Sequence, residues 1–263
     1  MDFSFKEHYN VYDLVEIVKK LRAPDGCPWD KEQTHETIRK DLIEETYEVI
    51  EAIDEKSPEH LREELGDVLL QVVFHCVLES EQGRFGIDDV ADEVCKKMIV
   101  RHPHVFGSVV ADTTEDVLRN WDQIKMQSKS QTSASEAMDS VSKALPALMR
   151  SEKLWKKAER GGLPAVSAEK SMDDTQRKLD ELKLLMKSGD TEAYGRKLGE
   201  LLFSVVGMSR SMKADCERSL YDACEDFTGQ FRSLEAYAAR NGIEIQKLSP
   251  EEITALWDNI SNQ

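Results

Sequence analysis

Basic residues are in deficit: 35 lysines and arginines face 51 aspartates and glutamates, a formal charge of -16. That balance disfavours unspecific attachment to phosphate backbones or anionic lipid surfaces, so no direct nucleic-acid binding is expected. No uncharged stretch approaches the roughly 18 residues a membrane span requires, and the opening MDFSFKEHYN lacks the apolar run of a secretory leader. Cys27, Cys76, Cys95, Cys216 and Cys224 are odd in number and form no C-x-x-C pair, which argues against a disulfide framework. Reduced thiols in a cytoplasmic protein are the expectation. Period-two alternation is missing, which argues against strands. Neither G-x-x-x-x-G-K-[ST] nor G-x-G-x-x-G occurs, so phosphates would have to be held by metal and side chains.

What is present is helical periodicity. Val11, Leu14, Val15, Val18 and Leu21 form a first stripe that stops at the turn-rich APDGCPWD of residues 23–30. Leu42, Thr46, Val49, Ile50 and Ile53 form a second; Leu61, Leu65, Val68, Leu69, Val72, Val73 and Cys76 a third; and Ile87, Val90, Ala91, Val94 and Met98 a fourth, closed by Pro103. Four helices joined by short loops predict an all-α bundle. Residues 127–140 are polar and serine-rich and read as a linker between segments 1–126 and 141–263. RKLGELLFSVV (Arg196 to Val206) repeats EELGDVLLQVV (Glu63 to Val73) 133 residues on, matching Leu65, Gly66, Leu69, Val72 and Val73 in place. Identity at packing positions predicts two copies of one bundle.

The acids are placed unusually. On a wheel of about 100° per residue, Glu45 and Glu48 share one shoulder of their helix's apolar stripe, and Glu64 and Asp67 share the same shoulder of theirs. Glu44 and Glu51 lie further towards solvent. Packed side by side, the two helices would converge four carboxylates. Unpaired acids three or four apart repel by roughly a few tenths of a kcal/mol, and more when partly buried. Either this is a solvated acidic face, or a cation removes the conflict; clustered carboxylates suit Mg²⁺ or Mn²⁺.

Lys97 and Arg101, four apart on the fourth helix, would serve a polyanionic substrate, or would simply snorkel from their stripe. Trp29 could stack on a nucleobase or pin its loop to the bundle. His102 and His104 in RHPHVF suit loop packing or capping better than metal ligation, because a proline separates them. Glu32 and His35 have the E-x-x-H spacing of di-iron bundles, but only once, where that fold needs two on facing helices.

RAPDGCPWDKEQTHETI (Arg22 to Ile38), LIEETYEV (Leu42 to Val49), REELGDVLLQVVF (Arg62 to Phe74), RHPHVFG (Arg101 to Gly107) and WDQIK (Trp121 to Lys125) closely resemble the MazG family of nucleoside triphosphate pyrophosphohydrolases. KALPALMRSEKLWKKA (Lys143 to Ala158) resembles the segment joining the two domains of its tandem form. The resemblance implies an all-α fold of two tandem MazG-like bundles, completed by homodimerisation. It also implies Mg²⁺-dependent cleavage of NTP or dNTP to the monophosphate and pyrophosphate, in nucleotide-pool clearance. By the same resemblance Glu45, Glu48, Glu64 and Asp67 are metal ligands, with Mn²⁺ a possible substitute for Mg²⁺. Glu44 is a further ligand through water, or the acid that orients the attacking water. Lys97, Arg101, Trp29, Trp121 and Lys125 make the substrate-binding set. A catalytically weak nucleotide sensor or scaffold is the alternative, and the intact acids argue against it.

The second copy departs from the family pattern. Its counterpart of E-E-x-x-E is Arg177-Lys178-Leu179-Asp180-Glu181, and that of E-x-x-D is Lys197-x-x-Glu200. Lys97 and Arg101 align with Asp226 and Gln230. Lysines where a cation would sit predict a copy that binds no Mg²⁺ and serves in dimerisation, stability or regulation.

Overall fold

The computed structural model describes residues 4–117, 120, 121, 124, 133–165 and 167–261. Among these every regular element is a helix, and none is long and apolar enough to cross a membrane. The five cysteines are free thiols. The chain folds as two compact units, Met1–Lys125 and Met126–Gln263.

The first unit contains α1 (Val11–Arg22), α2 (Pro28–Glu32), α3 (Arg39–Asp54), α4 (Pro58–Glu81), α5 (Ile87–Arg101) and the single turn α6 (Pro103–Phe106). Local chemistry fixes their starts. The Asn10 side chain accepts the N–H groups of Tyr12 and Asp13, and the Asp13 carboxylate accepts the Asn10 N–H in return. Pro58 opens α4 behind a Ser57 cap that accepts the His60 N–H. The α3–α4 hairpin turns through Lys56 at φ 55°.

Val15 and Val18 of α1, Ile38 ahead of α3, and Val73, Phe74, Val77 and Leu78 of α4 form the core, flanked by Val11, Leu14, Leu70 and Ile87. The second and fourth apolar stripes are only partly covered. Ile50 and Ile53 of α3 are 44% and 54% exposed, and Val90, Val94 and Met98 of α5 are exposed as well. In α4 the stripe divides, with Leu65 and Leu69 exposed and Val73 and Cys76 buried. Periodicity marks a face that favours cover; it does not say which partner supplies it.

The second unit contains α7 (Ala134–Asp139), α8 (Ala147–Arg160), α9 (Ala168–Ser188), α10 (Thr191–Ser211), α11 (Cys216–Arg240), a 3₁₀ turn (Ile245–Lys247) and α12 (Pro250–Ser261). Within the segment read as a linker, α7 is capped by Ser133 and buries Ala137. Ser167, Asp190 and Asp215 cap α9, α10 and α11 through their side chains. The α9–α10 hairpin turns through Gly189 at φ 75°, 133 residues after Lys56. Glycine meets the left-handed demand there without strain, whereas lysine meets it at a cost. Val73 and Val206, also 133 apart, are both fully buried.

Candidate metal centre

Glu45 and Glu48 lie one turn apart on α3, and α4 brings Glu64 against them. One carboxylate oxygen from each of the three lies within 4.8 Å of the others. Glu64 is 8% exposed, and Glu45 and Glu48 are half-buried. Burial, a hydrogen bond with Glu48 and the charges of Asp67, Glu48 and Glu64 push the Glu45 carboxyl up to about 7. Burial and the Glu48 charge raise Glu64 too, while His60 opposes them. A proton therefore stands where a cation would relieve the same repulsion, and the donors are all hard oxygens. The residues fit a Mg²⁺ or Mn²⁺ ion.

Asp67, half-buried, is not part of the close trio, yet its charge acts on both Glu45 and Glu64. Glu44 is exposed, outside the trio. Gln71, one turn beyond Asp67, buries an Oε1 atom that has no hydrogen-bond partner among the described residues. His60 was not singled out by the sequence reading. Its Nε2 lies 3.2 Å from Glu64 Oε1 and its Nδ1 2.8 Å from Glu55 Oε2. The signal was present in the i, i+4 spacing of His60 and Glu64.

The expected substrate groups are distributed unevenly. Arg101 lies over the Trp121 ring at 5.4 Å, and His102 meets the same ring edge-on at 4.8 Å. Lys97 is exposed. Neither Lys97 nor Arg101 is among the leading influences on Glu45 and Glu64. Lys125 lies outside the described residues. Trp29 is 60% exposed, so it does not pin its loop. Arg22 does that work: it donates to the carbonyls of Asp30 and Gln33 at 2.5 and 3.1 Å, pairs with Glu81, and covers the Phe74 ring at 5.4 Å.

His102 caps α5 through a 2.6 Å contact of Nδ1 with the Met98 carbonyl. His35 turns away from di-iron geometry. Its Nδ1 meets His75 Nδ1 at 2.7 Å and its Nε2 meets Glu79 Oε1 at 2.7 Å. Arg84 and His35 together hold the Glu79 carboxyl down to about 2.

At the equivalent place in the second unit the charges alternate. Lys197 Nζ lies 2.8 Å from Glu181 Oε2 and 2.7 Å from Glu200 Oε2, at the positions 133 beyond Glu64, Glu48 and Asp67. Lys178, in the place of Glu45, pairs with Asp174 at 2.7 Å and donates to the Ser204 hydroxyl. Lys178 and Arg177 hold Asp174 down to about 2, and Lys197 lowers Glu181. The first hairpin carries a cluster of acids met by His60 at Glu64 alone; in the second, lysines stand between the acids.

An all-α scaffold that converges half-buried acids from two adjacent helices offers a cluster of carboxylates that could hold a divalent cation. Comparison with known proteins narrows the class. A profile of the MazG nucleotide pyrophosphohydrolase domain matches residues 33–106. The chain is 38% identical over 246 residues to the nucleoside triphosphate pyrophosphohydrolase/pyrophosphatase MazG of Thermotoga maritima, covering 94% of this chain and 93% of that one. It is 36% identical over 253 residues to the nucleoside triphosphate pyrophosphohydrolase of Escherichia coli K12, covering 95% and 96%. The uncharacterized protein YabN of Bacillus subtilis is 39% identical along 92% of this chain, which spans 50% of its own length. The chain belongs to the MazG family.

Proposed function

We propose that the chain hydrolyses nucleoside triphosphates to the monophosphate and pyrophosphate, with the first unit as the catalytic half. The observation that carries this reading is the convergence of Glu45, Glu48 and Glu64 at the cost of a carboxyl raised to about 7. Full-length relatives named as nucleoside triphosphate pyrophosphohydrolases support it.

Glu45, Glu48 and Glu64, with Asp67 as the fourth acid, would hold Mg²⁺. Bound there, the ion supplies Lewis-acid polarisation of the phosphoryl oxygens and neutralises charge on the triphosphate. Glu44 or Glu48 takes the proton of the water that attacks the α-phosphorus. Lys97 and Arg101 hold the leaving pyrophosphate. The exposed Trp29 ring and the Arg101–Trp121 stack receive the nucleoside, and Lys125 completes the phosphate contacts.

Two further readings accompany this one. The uncovered stripes of α3 and α5, with Ile50, Ile53, Val90, Val94 and Met98 exposed, favour a homodimer in which a second copy completes the bundle. The Lys197 ammonium between Glu181 and Glu200 favours a second unit that takes no metal and does not turn over substrate. Pyrophosphate released from a panel of NTPs and dNTPs, with and without Mg²⁺, tests the activity. Release that is Mg²⁺-dependent and lost in Glu45→Gln is expected; metal-independent release, or none from any nucleotide, would refute it.

A further inference from the structure

Glu64 enters the carboxylate trio with a partner of its own. His60, one turn earlier on α4, places its Nε2 3.2 Å from Glu64 Oε1 and its Nδ1 2.8 Å from Glu55 Oε2. The Glu64 side chain is 11% exposed and that of His60 31%. Three features hold the ring there. The His60 N–H donates to the Ser57 hydroxyl, which fixes its backbone in the first turn of α4. The four-residue spacing sets His60 and Glu64 on one face of the helix. Glu55 caps the end of α3 and reaches across the turn to the ring. Carboxylates accept hydrogen bonds and do not donate them, so the ring nitrogen that meets Glu64 is the donor. Glu55 offsets positive charge on the ring, and the pair offers Glu64 a donor without the bare ammonium that Lys197 brings to the second hairpin.

The second hairpin lacks this relay. At the same register, 133 residues on, Ser188, Ala193 and Lys197 replace Glu55, His60 and Glu64. Its turn still closes, through Gly189 and an Asp190 cap that accepts the Ala193 N–H. Closing such a hairpin therefore does not require a tie between carboxylate and imidazole. The relay is found in the copy that carries the acids. There the charges of Glu48 and Asp67 bear on Glu64 and drive its carboxylate away from the trio, while the hydrogen bond from His60 holds it in place. Removing a partner that orients a metal ligand costs about 10–100-fold in metal affinity.

We propose that His60, anchored by Glu55, is a positioning residue that holds Glu64 in the arrangement a divalent cation requires; this rests on the reading of the acid trio as a metal centre. Mn²⁺ binding to the full chain without nucleotide, followed by the paramagnetic signal of the free ion, tests it. His60→Ala should weaken Mn²⁺ binding about 10–100-fold. Two conservative variants separate metal positioning from a tie across the turn. The side-chain amide nitrogen of Gln reaches as far as ring Nε2, and that of Asn only as far as Nδ1. His60→Gln should keep the affinity within about threefold of wild type. His60→Asn should lose it as Ala does, with a melting temperature in EDTA equal to that of His60→Gln. Unchanged affinity in both His60→Ala and His60→Asn, or rescue by Asn and not by Gln, would leave His60 as a tie across the turn and overturn the proposal. No Mn²⁺ binding by the wild type, or undiminished binding in Glu64→Gln, would overturn the metal centre itself and the proposal with it.

Discussion

The α3–α4 and α9–α10 hairpins share a turn geometry and a buried valine, yet they treat charge in opposite ways. In the first, Glu45, Glu48 and Glu64 face one another, and burial together with its acidic neighbours pushes the Glu45 carboxyl up to about 7. In the second, Lys178 and Lys197 stand in for two of those acids, and each pairs with carboxylates at under 3 Å. The hairpin therefore does not need the acids in order to form. Repulsion that one copy has shed and the other has kept points to a purpose outside folding. The cores differ as well: apolar residues fill the first, and a cavity lined by Trp155, Ser171, Asp174, Ser204 and Arg210 opens in the second. Each copy thus departs from plain packing at a different place.

The sharpest way to break this comparison is a paired carboxylate substitution. Glu48→Gln should lower pyrophosphate release by about 10²–10³-fold, while Glu181→Gln, its counterpart, should leave it within about twofold. Equal losses would mean that both hairpins carry the chemistry. The next largest effect is on stability. Phe74→Ala should cost about 3–5 kcal/mol in urea unfolding and also loosen the Arg22 strap that rests on the ring. Val206→Ala, at a fully buried position, should cost about 2 kcal/mol.

Metal removal separates the copies by pH. The Glu45 carboxyl is raised in the folded state, so folding favours its protonated form. In EDTA the first unit should lose stability as pH rises from 4.5 to about 7, and Mg²⁺ should restore it. Asp174 is depressed, so its contribution is present above its ordinary 3.8 and is lost as pH falls towards about 2. That side chain is 40% exposed, and screening keeps its effect small. Hydrogen exchange in α3–α4 and α9–α10 peptides, with and without Mg²⁺, reads both. The smallest expected effect is a gain. Lys178→Glu combined with Lys197→Glu should create weak Mn²⁺ binding in the second unit, detected by paramagnetic broadening, without adding turnover.

Much of this was legible in residue spacing. The i, i+3 pairs on matching shoulders of two stripes led to the expectation that Glu45, Glu48, Glu64 and Asp67 would converge, because a helix wheel fixes direction once the apolar face is known; the first three form the close trio and Asp67 stays outside it. The repeat at Leu65, Gly66 and Val73 likewise anticipated a second hairpin in register. Burial was less legible. The stripes on α3 and α5 have the composition of a core but remain exposed in one chain, since periodicity records preference and not partner. Long-range polar contacts were hidden for a related reason. The Arg22 strap to Glu81, and His35 between His75 and Glu79, join residues more than 35 positions apart, and no local spacing encodes them.

The central claim is that one copy holds the reaction and the other does not. Its most direct test is pyrophosphate release by the full chain at saturating Mg²⁺, with Asp67→Asn set against Glu200→Gln. The expected result is near-complete loss in the first and a rate close to wild type in the second. A wild-type rate in Asp67→Asn, or a loss confined to Glu200→Gln, would contradict it.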